Sequence, residues 1–139
     1  MLQQERPAMI QLTYASRPFG FDAAMLAGIL SDARRCNTRD GITGLLICRA
    51  DLYLQLLEGP EAAVDATYRR IAADDRHMDL TLLTRRRVDT RLFPQWAMRD
   101  DPAQSWLWTK EQVDDGALTR ATEDEVVATF QRRAAAGLV

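Results

Sequence analysis

The sequence predicts an α+β fold. Apolar stretches of strand length stand at 8–16, 42–48 and 52–58, and two stretches with helical spacing alternate with them. No repeat, linker or low-complexity segment divides the chain. Its 139 residues, 47% hydrophobic and 27% charged, suit one domain with a proper core.

Residues 8–16 (AMIQLTYAS) alternate, with Ile10, Leu12 and Tyr14 on one face, which predicts a strand. Arg17, Pro18, Phe19 and Gly20 break it. Asp22 can then cap a helix whose apolar positions Met25, Leu26, Ile29, Leu30 and Ala33 follow helical spacing. Residues 37–41 (NTRDG) are turn chemistry, and Asn37 reads as the residue that ends this helix. Two apolar runs follow, 42–48 (ITGLLIC) and 52–58 (LYLQLLE), joined by Arg49, Ala50 and Asp51 as a hairpin. Gly59 and Pro60 open a second helix, with Val64, Thr67, Tyr68 and Ile71 along one face. Residues 80–83 and 95–98 read as two more strands. The order is β-α-β-β-α-β with one further strand, the ferredoxin-like βαββαβ(β) pattern, with both helices on one face of the sheet.

On the strand around Gln55, Leu52, Leu54 and Leu56 point one way, and Tyr53, Gln55 and Leu57 the other. Both faces are largely apolar, so both need cover. Thr122, Glu123, Asp124 and Glu125 form a capping-box pattern ahead of Val126, Val127 and Phe130. C-terminal helices are therefore expected on the second face. The chain divides into a core at 1–100 and a helical extension packing on the sheet at 101–139.

Charge and composition narrow the function. A net charge of -2 and a pI near 5.4 provide no basic field for nucleic acid. The pairs Arg34 with Arg35 and Arg69 with Arg70, and the run from Arg85 through Arg87, are short and balanced by nearby acids. Two cysteines, Cys36 and Cys48, and one histidine, His77, make neither a disulfide framework nor a tetrahedral zinc site. The opening MLQQERPA lacks an apolar signal core, and no apolar run approaches the ~20 residues that span a bilayer. A cytoplasmic location without membrane or nucleic-acid partners is the expectation.

Hydrolytic chemistry finds little support. Residues 41–44 (GITG) lack the spacing and lysine of a phosphate-binding loop. His77 reads as the foot of a helix, Ser16 has no legible base, and Asp74 and Asp75 sit at a helix end. What remains is polar and faces inward. Gln55 interrupts an apolar strand, where an unmet amide costs ~1–3 kcal/mol. Together with Tyr14 and Asn37 it could surround one planar, polar-edged ligand, since amides both donate and accept.

Five segments carry a resemblance across residues 8–100: TYASR, ARRCNTRDGITGLL, YLQLLEG, RRIAADDRH and FPQWAM. In this order and spacing the sequence resembles the BLUF domains, flavin-binding sensors of blue light. The resemblance implies FAD held non-covalently between the two helices. Tyr14 would be the donor to the excited flavin, and Gln55 the amide that responds by rotating or tautomerising. The flavin would end oxidised, with a stronger hydrogen bond to its C4 carbonyl. Asn37 would bond the carbonyl edge, and Ile29 and Ile71 would sandwich the ring. Arg70 and Asp74 would serve the ribityl or phosphate end, with His77 in the same cofactor-binding set. Trp96 and Met98, two apart on the last predicted strand, would share a face and form the output pair. The chain departs from the pattern at Cys36, where many relatives carry asparagine or histidine.

The resemblance further implies a short, stand-alone sensor and no enzyme, signalling to a downstream protein partner or by self-assembly. The rival readings are an acylphosphatase-like hydrolase using an arginine and Asn37, and a light-independent interaction module. Both would be colourless.

Overall fold

A computed structural model describes residues 8–18, 23–74, 77–104 and 106–136. Asp22, expected to cap the first helix, and Phe19, Gly20 and Asp75 lie outside the described residues. The elements are β1 (Met9–Pro18), α1 (Ala23–Asp40), β2 (Thr43–Arg49), β3 (Leu52–Pro60), α2 (Glu61–Ala72), β4 (His77–Arg87), β5 (Arg99–Pro102), α3 (Lys110–Asp114), α4 (Ala117–Arg120) and α5 (Glu123–Ala135). The fold is α+β and ferredoxin-like.

The sheet runs β4-β1-β3-β2-β5. β3 lies antiparallel between β1 and β2, β4 is antiparallel to β1, and β5 is parallel to β2. A parallel fifth strand needs a long crossover, which α2, β4 and the loop after it supply. The register puts Tyr14 of β1 and Leu46 of β2 on either side of Gln55.

The alternation read along β3 separates two cores. Tyr53 and Leu57 pack with Ile10, Leu12 and Tyr14 under Ile29 and Leu30 of α1 and Val64 of α2. Leu52, Leu54 and Leu56 pack on the other face against Phe93, Leu118, Val126 and Phe130. The C-terminal helices thus cover the second face. α5 starts at the expected capping box: Glu125 N donates to Thr122 Oγ1 and Thr122 N to Glu125 Oε1, each 3.1 Å. Its far end is tied to β5 by Arg133, which donates to both oxygens of Asp101 at 2.7 and 3.0 Å.

Three expectations shift. β1 continues through Pro18, because the end of a strand tolerates a residue without an N–H. α1 runs past Asn37 to Asp40 and stops at Gly41, whose φ of 73° favours glycine. Residues 95–98 are not a strand. The carbonyls of Trp96, Ala97 and Met98 accept from separate donors on β2 and α1, described below, and the strand ladder begins only at Arg99.

Candidate functional site

Between α1 and α2 the structure holds a cavity of about 250 Å³ above the sheet. Ile29 of α1 and Ile71 of α2 face it, and Gln55 and Leu57 reach it from β3. Arg70 and Asp74 line it, as do Asp32 and Arg35, which pair at 3.3 Å. Asn37, Cys36, Thr67 and His77 complete its polar lining. Seven of the residues expected to hold a ligand therefore share one cavity, although they come from two helices, two strands and the turn after α2.

Tyr14 stands behind this lining. Its hydroxyl donates to Gln55 Oε1, and Gln55 Nε2 donates to the sulfur of Met98 at 3.1 Å. All three side chains are buried. Burial pushes the Tyr14 phenol well above its usual pKa, with Tyr68, Asp74 and Tyr53 adding to the shift. The tyrosine is accordingly held as a neutral donor.

Asn37 is no helix cap. Its Nδ2 donates to the Ala97 carbonyl at 2.7 Å, and its backbone carbonyl accepts from Ile42. Its Oδ1 is buried with no hydrogen-bond partner among the described residues. Such an acceptor costs ~1–3 kcal/mol unless a ligand N–H meets it.

His77 is likewise moved. It opens β4 instead of closing a helix, because α2 ends at Ala72 and the chain re-enters the sheet beside Pro18. Its Nδ1 lies 2.8 Å from Ser16 Oγ, a partnership across 61 positions that the sequence does not show. The ring stands edge-on to Tyr14 and Tyr53, at centroid distances of 6.0 and 5.5 Å. The imidazole thus lines the cavity while packing edge-on against two tyrosines behind it.

Trp96 and Met98 do not share a face. With no strand at 95–98, the chain crosses between the two sides of the sheet at this point. Trp96 remains with the back core, stacked on Phe93 at 5.9 Å with the Arg99 guanidinium over its ring. Met98 enters the front core beside Gln55. Gly44 permits the crossing, since a Cβ there would collide with the Leu56 carbonyl and crowd Met98 Cε.

The family model for BLUF, sensors of blue-light using FAD, matches residues 9–99. The chain belongs to the BLUF family. BlrB, a BLUF protein in its dark state, superposes with a TM-score of 0.77 at 30% identity, over 94% of this chain and 98% of that one. A bacterial light-regulated adenylyl cyclase superposes with a TM-score of 0.66 at 30% identity, over 87% of this chain and 36% of that one. The photoactivated adenylate cyclase subunit beta of Euglena gracilis is 36% identical over 122 residues. That match takes in 86% of this BLUF chain and only 12% of the Euglena protein.

The BLUF chain is thus a flavin-binding sensor of blue light. The cavity fits such a group: two isoleucines for a flat apolar ring, and the unmet Asn37 Oδ1 for an imide N–H. Among the described residues no cluster of metal-ligating side chains occurs, and no helix is long and apolar enough to cross a membrane.

Proposed function

We propose that the flavin is FAD and that Tyr14, Gln55 and Met98 form the switch that light operates. The observation that carries this reading is the double engagement of the Gln55 amide, with its oxygen accepting from Tyr14 and its nitrogen donating to Met98. When bound, the flavin supplies the light-driven acceptor for an electron and a proton. Tyr14 holds its phenolic proton on Gln55, the residue that lies between it and the cavity. Gln55 presents inequivalent ends, so reversing or tautomerising its amide changes which end donates. A reversed amide would set Oε1 against the Met98 sulfur, two acceptors facing each other, so Met98 must yield. Proton and electron return to Tyr14, and no substrate is consumed.

Ile29 and Ile71 flank the ring in this proposal, and Asn37 Oδ1 accepts from its imide edge. Arg70 and Asp74 take the ribityl or phosphate end, and His77 braces Tyr14. Movement of Met98 passes to β5, which follows it directly, and from Asp101 to Arg133 on α5. The readout is a protein partner or a second copy of this chain, and the domain itself performs no catalysis. Relatives named as light-regulated cyclases support a coupled effector, since the matched segment is a minor part of them.

The test is the spectrum of the purified protein and the identity of the released cofactor. Flavin absorption, a light-induced red shift and intact FAD on denaturation are expected. A colourless protein that takes up no flavin, or a flavin left attached to the unfolded chain, would overturn the proposal.

A further inference from the structure

Glu58 is a fully buried carboxylate that the switch does not use. It lies on β3 three positions after Gln55, with its side chain toward the opposite face. Its oxygens accept from the main-chain amides of Leu92 and Phe93 at 2.9 and 2.7 Å. These residues begin the segment that ends at Met98, and its last three residues are also held. The Trp96 amide donates to the Phe93 carbonyl, and the two rings stack. The Trp96 carbonyl accepts from Gly44 N at 3.1 Å, that of Ala97 from Asn37 Nδ2 at 2.7 Å, and that of Met98 from Arg34 Nε at 3.0 Å. Arg91 adds bonds to the Glu58 and Gly41 carbonyls at 3.1 and 2.7 Å.

We propose that Glu58 is a positioning residue for the light switch, clamping the loop that delivers Met98 to the Gln55 amide. The proposal rests on the Tyr14–Gln55–Met98 reading. One rigid strand then carries both the switching amide and the anchor for that amide's partner. A main-chain amide held by a carboxylate makes a strong, charge-assisted bond, so the clamp sets how readily Met98 leaves and returns.

The groups that face the carboxylate are the Arg91 guanidinium and the Leu92 and Phe93 amides from the loop, the Gln11 amide from β1, and the Thr43 hydroxyl from β2. Burial is the largest influence on Glu58 and raises its pKa above the ordinary carboxylate value. The clamp should therefore weaken on acidification at a higher pH than an exposed glutamate would titrate. Removing the charge relieves a buried carboxylate, so Glu58→Gln should keep the fold while loosening the loop.

The experiment follows dark recovery of the flavin-loaded protein against pH, for the wild type, Glu58→Gln and Gln55→Leu. The wild type should recover faster as pH falls. Glu58→Gln should hold its flavin and melting temperature, recover several-fold faster at neutral pH, and lose the acid limb. Wild-type recovery and the wild-type pH profile in Glu58→Gln would overturn the proposal. If Glu58→Gln does not retain flavin, hydrogen exchange of the wild type decides. Protected Leu92 and Phe93 amides support the clamp, and exchange at free-peptide rates in the dark overturns it. An unchanged red shift in Gln55→Leu would instead sink the switch reading itself.

Discussion

Tyr14 and Gln55 face each other across β1 and β3, and the phenol donates to the amide oxygen. Adjacent strands fix that pairing through their backbones, so neither side chain can drift from the other without breaking the ladder. In the proposed reading the switch is therefore built on the inner strands of the sheet, and its moving part is the amide and the loop residue beyond it.

Replacing Gln55 with leucine is expected to leave flavin binding intact and abolish the light-induced red shift. Leucine keeps the volume in the apolar strand while deleting both amide ends. Loss of a buried polar group to an apolar one of similar shape can be nearly neutral for stability. Difference spectroscopy under blue light measures this, and a normal photocycle would remove Gln55 from the mechanism.

Tyr14→Phe should retain the fold and lose the productive photocycle, because ring packing survives and the phenolic proton does not. The wild-type phenol makes a second prediction. Its pKa is raised in the folded state above the reference value of 10.0, so the folded protein binds this proton more tightly than the unfolded chain. The associated stability is complete below about pH 10 and declines as pH rises beyond it. Alkaline titration of tyrosine absorbance should find Tyr14 silent until the protein unfolds.

Trp96→Phe should leave the red shift in place. The indole stacks on Phe93 with the back core, separated from Gln55 by the sheet. A yield falling to that of Tyr14→Phe would instead place Trp96 in the photochemistry.

The sequence made the two cores legible because strand alternation is strict at period two: Tyr53, Gln55 and Leu57 went one way and Leu52, Leu54 and Leu56 the other. Helical spacing likewise put Ile29 and Ile71 on apolar helix faces, while their place around a ligand came from the family resemblance; both line the cavity. Residues 95–98 misled, since a short segment with two large apolar side chains two apart looks like a strand, whatever its hydrogen bonds. Those bonds come from Gly44, Asn37 and Arg34, more than fifty positions away. Separation along the chain likewise hid the partnership of Ser16 with His77, 61 positions apart, and the bonds of Glu58 to the Leu92 and Phe93 amides, 34 and 35 positions away. One signal is present in the sequence: Glu58 in an apolar strand needs donors, as Gln55 does.

Arg133→Ala should destabilise the domain. Arg133 and Asp101 are 14% and 9% exposed, and removing the guanidinium strands a buried carboxylate, a loss of ~3–5 kcal/mol for a buried pair. Denaturant unfolding measures it. A change within error would mean that water reaches Asp101 readily.

Cutting the chain after Asp101 tests the wider proposal that residues 101–139 are part of the folded unit and carry its output. The cut uncovers Leu52, Leu54 and Leu56, on which Val126 and Phe130 now pack. Each fully buried leucine contributes ~1.5–3 kcal/mol, so exposing three rivals the ~5–15 kcal/mol stability of a typical domain. Aggregation, tighter self-association or a clear fall in melting temperature is expected. Hydrogen exchange of the full chain separates the structural role from the signalling one. Residues 122–135 should be protected in the dark, because the capping box and the Arg133 bonds to Asp101 fix both ends of α5. Under light their exchange should rise, as displacement of Met98 pulls on β5 and loosens that second anchor. Protection that is equal in the two states would leave α5 a cover for the sheet and exclude it from the signal.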